Sequence, residues 1–113
     1  MPTRLPSGVS PAKRVFDLLD AEIARWVRER NGQFHYHGPD ARLELGGRKV
    51  FAVHYPEYGY AMACTGDWDL VCCGHSHQAE VRRVANVKGG ETWLVNPGTV
   101  AGLAAPRTWA LGD

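Results

Sequence analysis

At 113 residues with a formal net charge of +1, the chain is sized for one domain burying roughly two thirds of its unfolded surface, and its charge makes no electrostatic case for nucleic acid or an anionic membrane. No apolar stretch approaches the roughly 20 residues of a bilayer span, and the N-terminus lacks the apolar core of a signal peptide. Three cysteines, two of them adjacent, make no disulfide framework, so a reducing, cytoplasmic setting is expected.

Residues 1–10 read as a flexible tail, because Pro2, Pro6 and Gly8 leave little to pack. Ser10 and Pro11 form a helix start, with serine as N-cap and proline at the first helical position. Val15, Phe16, Leu19, Ile23, Trp26 and Val27 then recur at helical spacing, with Asp17, Asp20, Glu22, Arg25 and Arg28 opposite. Asn31 and Gly32 supply the stop, and this amphipathic helix needs a surface to cover. Residues 33–37 and 41–45 alternate like short strands on either side of a Gly38-Pro39-Asp40 turn. Gly46-Gly47 makes a second tight connection, and residues 49–53 form a strongly apolar strand that ends in His54. Pro56 breaks it, and residues 58–64 read as a short helix. Residues 68–73 form a second apolar strand. Residues 79–87 and 91–95 read as a hairpin around Lys88-Gly89-Gly90, Asn96-Pro97-Gly98-Thr99 as a turn, and 108–111 as the start of a last strand.

The chemistry concentrates at the ends of the two apolar strands. Val71-Cys72-Cys73-Gly74-His75-Ser76-His77 places two histidines just past a buried strand, where open α/β sheets hold their ligands. If residues 49–53 and 70–73 lie side by side and parallel, joined by the 58–64 helix, then His54, His75 and His77 converge on one rim. Imidazole suits zinc, manganese, iron, nickel or copper. Residue by residue, blander readings stand beside this one. A single histidine at a strand end is more often a surface residue than a ligand, and His35 and His37 read as exposed strand residues. Cys72 and Cys73 alternate across a strand and read as buried small hydrophobes, as does Cys64 against its helix. A structural zinc site made by one of the adjacent cysteines with His75 and His77 ranks behind for the same reason. Tyr55, Tyr58 and Tyr60 read as core residues, and Arg82-Arg83 with Arg25, Arg28 and Arg30 as solvated faces.

The ordered set of His54 at a strand end, a short helix, Asp69 to His77, a hairpin, Asn96-Pro97-Gly98-Thr99 and Pro106-Arg107 resembles the carboxyl half of the calcineurin-like metallophosphoesterases. The flavour is that of the small bacterial and archaeal phosphodiesterases of the YfcE type, over roughly residues 33–111. The resemblance implies an α/β fold that is the carboxyl half of an αββα sandwich: one amphipathic helix, a mixed sheet and a crossover helix, with residues 11–113 as a partial domain. It implies a two-metal centre that hydrolyses phosphate mono- or diesters through a metal-bound hydroxide. His54 and His75 would serve one metal and His77 the other, with Asn96 and Gly98 towards substrate. The ions would be divalent: manganese, zinc, nickel or iron.

The departures from that pattern bear on activity. The family opens with Asp-x-His, Gly-Asp and Gly-Asn motifs that supply the bridging carboxylate and other ligands, and residues 1–32 contain none of them. Gly66-Asp67 lies in a loop before Trp68 and substitutes poorly. Tyr55 stands where the family has glycine, and crowds the phosphate. No residue of this chain is assigned as catalytic, and activity is not expected from it alone. Absence of the first sheet would leave an apolar sheet face and an open edge, so the expected partners are an amino-terminal half in trans or a second copy, besides a phosphate-ester substrate. A non-catalytic binding or regulatory remnant of the fold is the competing reading.

Overall fold

The computed structural model describes residues 21–30, 32 and 34–112. The expected tail over 1–10 and the helix start at Ser10-Pro11 lie outside them. The chain divides into two compact units, Met1–Gly38 and Pro39–Asp113.

In the first unit, residues 21–28 are helical (α1). Ile23 and Trp26, on the expected apolar face, are exposed. The Trp26 ring packs against Phe34 with centroids 5.0 Å apart, and the Arg30 guanidinium covers it at 3.6 Å. The exposed Arg25–Glu22 ion pair is a solvated face of the expected kind, worth little to stability. Residues 34–37 are not a strand, which corrects the expectation for that segment. The next strand pairs only as far as Asp40 opposite Val53, the last residue of its partner, so residues before Asp40 have no ladder to join. His35 and His37 are exposed, as expected, but not in a strand.

The second unit is built on β1 (Asp40–Leu45), β2 (Arg48–Val53), α2 (Pro56–Cys64), β3 (Leu70–Cys72), β4 (Glu80–Ala85) and β5 (Glu91–Asn96). The sheet order is β1-β2-β3-β5-β4. β1 and β2 form an antiparallel hairpin through Gly46 and Gly47, both at positive φ, the backbone form that matches strand twist in a two-residue loop. β2 runs parallel to β3 across the α2 crossover, as expected from the two apolar runs. β3 is parallel to β5, and β4 and β5 form the expected hairpin. Pro56 does more than break β2: it occupies the first turn of α2, where a missing N–H costs nothing, so the helix begins earlier than residue 58. The expected final strand over 108–111 does not form; one isolated bridge, Thr99 to Arg107, precedes it.

Register explains which side chains are buried. Phe51, Val71 and Leu94 form one row across β2, β3 and β5 and, with Val53, Cys73, Val84 and Ala63, make the core beneath α2. Gly59 lets the helix approach closely: a β-carbon there would lie 3.2 Å from that of Cys73. The neighbouring rows, Val50–Leu70–Trp93 and Ala52–Cys72–Val95, face the other way. Trp93 and Val81 are exposed, and Arg83 lies 4.5 Å over the Trp93 ring. The tyrosines depart from the expected core. Tyr55, Tyr58 and Tyr60 are exposed, because α2 buries only Gly59 and Ala63. Tyr58 meets Phe51 edge-on at 5.5 Å, and Tyr60 lies under Arg82.

Burial holds the Cys72 and Cys73 thiols above their ordinary pKa, so the unfolded chain gives up these protons first. Their contribution to stability is full below the unfolded thiol pKa of about 8.5 and is lost as pH rises from there through the raised folded pKa. Urea unfolding of the wild type should therefore lose more stability between pH 7.5 and 9.5 than that of a Cys72→Ala, Cys73→Ala double variant. Equal losses would contradict this.

Candidate metal-binding site at the strand ends

β2, β3 and β5 are parallel to one another, so their carboxyl ends share one edge of the sheet. That edge collects His54 after β2, Gly74 to His77 after β3, and Asn96 at the end of β5. The strand ends are stitched together by the backbone: Gly74 N–H donates to the His54 carbonyl at 2.9 Å, and Cys73 N–H to the Val95 carbonyl at 2.9 Å.

Two of the three candidate histidines meet. His54 Nε2 lies 3.0 Å from His75 Nδ1, with ring centroids 5.0 Å apart and planes at 76°. Without a cation, one nitrogen must carry the proton and the other accept it. Two nitrogens bound to one cation at about 2.1 Å and at right angles would also stand about 3 Å apart. On a tetrahedral ion the same two nitrogens would stand about 3.4 Å apart, so holding one ion would need the pair to exchange its hydrogen bond for a slightly wider spacing. Tyr55 closes the side of the pair, its ring centroid 4.9 Å from that of His54 and 4.8 Å from that of His75.

His77 is engaged elsewhere. Its Nδ1 lies 2.9 Å from the Leu103 carbonyl. A carbonyl only accepts, so Nδ1 is the donor, and Nε2 is the nitrogen left with a lone pair in the neutral ring. Among the described residues, no group of three histidine, cysteine, aspartate or glutamate side chains is placed to hold an ion. Cys73 is committed to the core. Asp67 is held by Lys88 at 2.6 Å, and the hydrogen bond and charge of that ammonium keep its carboxyl below the usual range. This loop precedes β3, at the end of the strand away from the histidines. A groove of about 570 Å³ lined by Arg48, Val50, Leu70 and Trp93 also opens there, so it is not a substrate cleft over the histidine pair.

Asn96 and Gly98 sit beside the pair. Asn96 is 4% exposed. Its Nδ2 donates to the Gly74 carbonyl at 3.0 Å and to Ser76 Oγ at 2.9 Å, and its Oδ1 accepts from Gly98 N–H at 3.0 Å. The returning segment locks this turn: Thr108 Oγ1 donates to the Pro97 carbonyl at 2.9 Å, and Thr108 N–H to the Thr99 carbonyl at 2.9 Å. The contributions of Ser76, Thr108 and the Leu103 carbonyl were not legible beforehand. A backbone carbonyl leaves no trace in residue identity, and isolated hydroxyls are common in any loop.

The family profile described as the calcineurin-like phosphoesterase superfamily domain matches residues 11–113. No curated protein matches the chain. Among solved structures, an archaeal phosphodiesterase aligns at 21% identity and a TM-score of 0.59, over 74% of this chain and 48% of the other. Vps29 of Entamoeba histolytica complexed with zinc aligns at 18% identity and a TM-score of 0.46, over 93% of this chain and 73% of the other. A single-substitution variant of that Vps29 aligns at 18% identity and 0.47, over 91% and 73%. The chain thus spans about half the length of the archaeal structure whose fold it shares.

Proposed function

The chain belongs to the calcineurin-like phosphoesterase superfamily, and from that premise we propose that it is the carboxyl-terminal half of a metal-dependent phosphoesterase acting on phosphate mono- or diesters. The observation that carries the reading is the 3.0 Å approach of His54 Nε2 to His75 Nδ1 at the carboxyl ends of the three parallel strands of a mixed sheet, where open α/β sheets hold their ligands. In this reading His54 and His75 hold one divalent ion, and His77 presents Nε2 towards a second. A bound ion of this kind polarises a phosphoryl oxygen and acidifies water. The protein's part is to orient the imidazoles and to wall one side of the pair with Tyr55.

Two imidazoles are half of a four-coordinate set, and the sequence has no Asp-x-His or Gly-Asn motif to complete it. The remaining ligands come from an amino-terminal half, whose sheet would cover the Val50–Leu70–Trp93 face. Turnover is accordingly expected only with that half supplied. The missing motifs equally favour a second reading, a non-catalytic remnant that keeps a weak cation site.

Cobalt titration followed by visible absorption tests the shared proposal. One ion per chain is expected, with affinity at least 10-fold weaker in His54→Ala and in His75→Ala and unchanged in His35→Ala. Binding indifferent to both strand-end substitutions would sink it. Hydrolysis of bis-(p-nitrophenyl) phosphate with manganese separates the two readings. Turnover that appears when an upstream-encoded segment carrying Asp-x-His and Gly-Asp is co-expressed, and disappears in His75→Ala, supports the enzyme; none under those conditions supports the remnant.

A further inference from the structure

The segment that presents His75 is held in an unfavourable backbone form. His75 has φ 64° and His77 φ 62°, in the left-handed region that side chains with a β-carbon seldom occupy. Ser76 N–H donates to the Gly74 carbonyl at 2.7 Å. This three-residue turn centred on a positive-φ residue is the rare, strained form of the γ-turn. Such a conformation persists only where its surroundings impose it.

One buried carboxamide reaches both sides of this turn, which is also tied to β2 by Gly74 N–H donating to the His54 carbonyl. Asn96 ends β5, paired with Glu80 across the hairpin, so its backbone is fixed by the sheet. Both Nδ2 hydrogens point at the turn, one to the Gly74 carbonyl and one to Ser76 Oγ. These acceptors flank His75 on either side. The same side chain takes Gly98 N–H on its oxygen, which fixes the orientation of the amide. A side chain so committed on both ends is poorly placed to receive a substrate and well placed to hold a loop.

We propose that Asn96 is the positioning residue of this site, holding His75 in the left-handed turn that brings its Nδ1 to His54 Nε2. The proposal deepens the phosphoesterase reading and rests on it for its purpose, although the His54–His75 contact can be measured without any metal. The experiment uses the full chain, treated with chelator and held at one pH, with the imidazole nitrogens followed by long-range 1H–15N correlation spectra. The wild type should show one ring-to-ring hydrogen-bonded histidine pair. Asn96→Ala should abolish that signature while circular dichroism still reports a folded sheet, and should weaken cobalt binding about 10-fold or more, as expected when a group that orients a ligand is lost. Ser76→Ala, at an exposed position, removes one of the two struts and should weaken the signature without unfolding the chain. Thr92→Val perturbs the same strand away from the turn, and should leave the signature intact.

A folded Asn96→Ala protein that keeps the wild-type imidazole pattern overturns the proposal, as does a Thr92→Val change that disturbs the pattern equally. Should Asn96→Ala fail to fold, Ser76→Ala decides: an unaltered pattern there refutes the strut. Absence of cobalt binding in the wild type would refute the metal reading and leave the imidazole result to judge the positioning role separately.

Discussion

Replacing Gly98 by alanine is expected to destabilise the chain by about 2–5 kcal/mol, from overpacking and a left-handed backbone acting together. The residue has φ 82°, and a β-carbon there would fall 2.0 Å from Thr108 Oγ1 and 3.3 Å from the β-carbons of Ala79 and Thr108. The first contact cannot be relieved by a rotamer change without breaking the bond from Thr108 Oγ1 to the Pro97 carbonyl. In a Thr108→Ala background the hydroxyl is gone, and the cost of Gly98→Ala should shrink towards about 1–2 kcal/mol of backbone strain. The difference, read from urea unfolding of the four proteins, is the coupling between turn and returning segment. An equal cost in both backgrounds would mean the returning segment moves aside freely. Because Gly98 N–H is held by Asn96, the same substitution should also disturb the imidazole pair.

Truncating Phe51 to alanine should cost about 3–5 kcal/mol, the range for a large aromatic removed from a packed core. Phe51 is 0% exposed and sits between Trp68, at a centroid distance of 5.2 Å, and the edge of Tyr58. It also belongs to the row that carries the α2 crossover onto the sheet. Small domains have about 5–15 kcal/mol in total, so this one change should bring the sheet close to unfolding at 37 °C. Phe51→Leu, which refills most of the space, should lose less than about 1.5 kcal/mol. Thermal unfolding followed at the tryptophans compares the two; a loss below about 1 kcal/mol for alanine would show that the core collapses around the gap.

Much of this architecture could be read from the chain. The apolar runs at 49–53 and 70–73 announced two buried strands, because a strand covered on both faces has no need of alternation. The helix between them implied a parallel crossover, and Lys88-Gly89-Gly90 a hairpin. Other features could not be read. Tyr55, Tyr58 and Tyr60 have the composition of a core, but α2 is short and turns only Gly59 and Ala63 fully inward, leaving all three rings exposed. Residues 34–37 alternate like a strand, but pairing stops at Asp40, and alternation without a partner makes no ladder. Asn96 and Gly98 read as residues facing substrate. Whether they face a ligand or a loop depends on the direction of one carboxamide, which residue identity does not encode.

The family resemblance and the positions of the two apolar strands could be read from the chain, since an ordered set of motifs and hydrophobic patterning are local properties; the β3–β5 pairing that completes the strand order could not. Which histidines meet is a matter of tertiary packing. His54 and His75 stand 21 positions apart and touch because β2 and β3 are parallel in register and a buried amide on β5 supports a positive-φ turn. His77, two residues further on, is turned to the Leu103 carbonyl. Contacts of that kind depend on where separate strands end in space, and no local pattern carries that information.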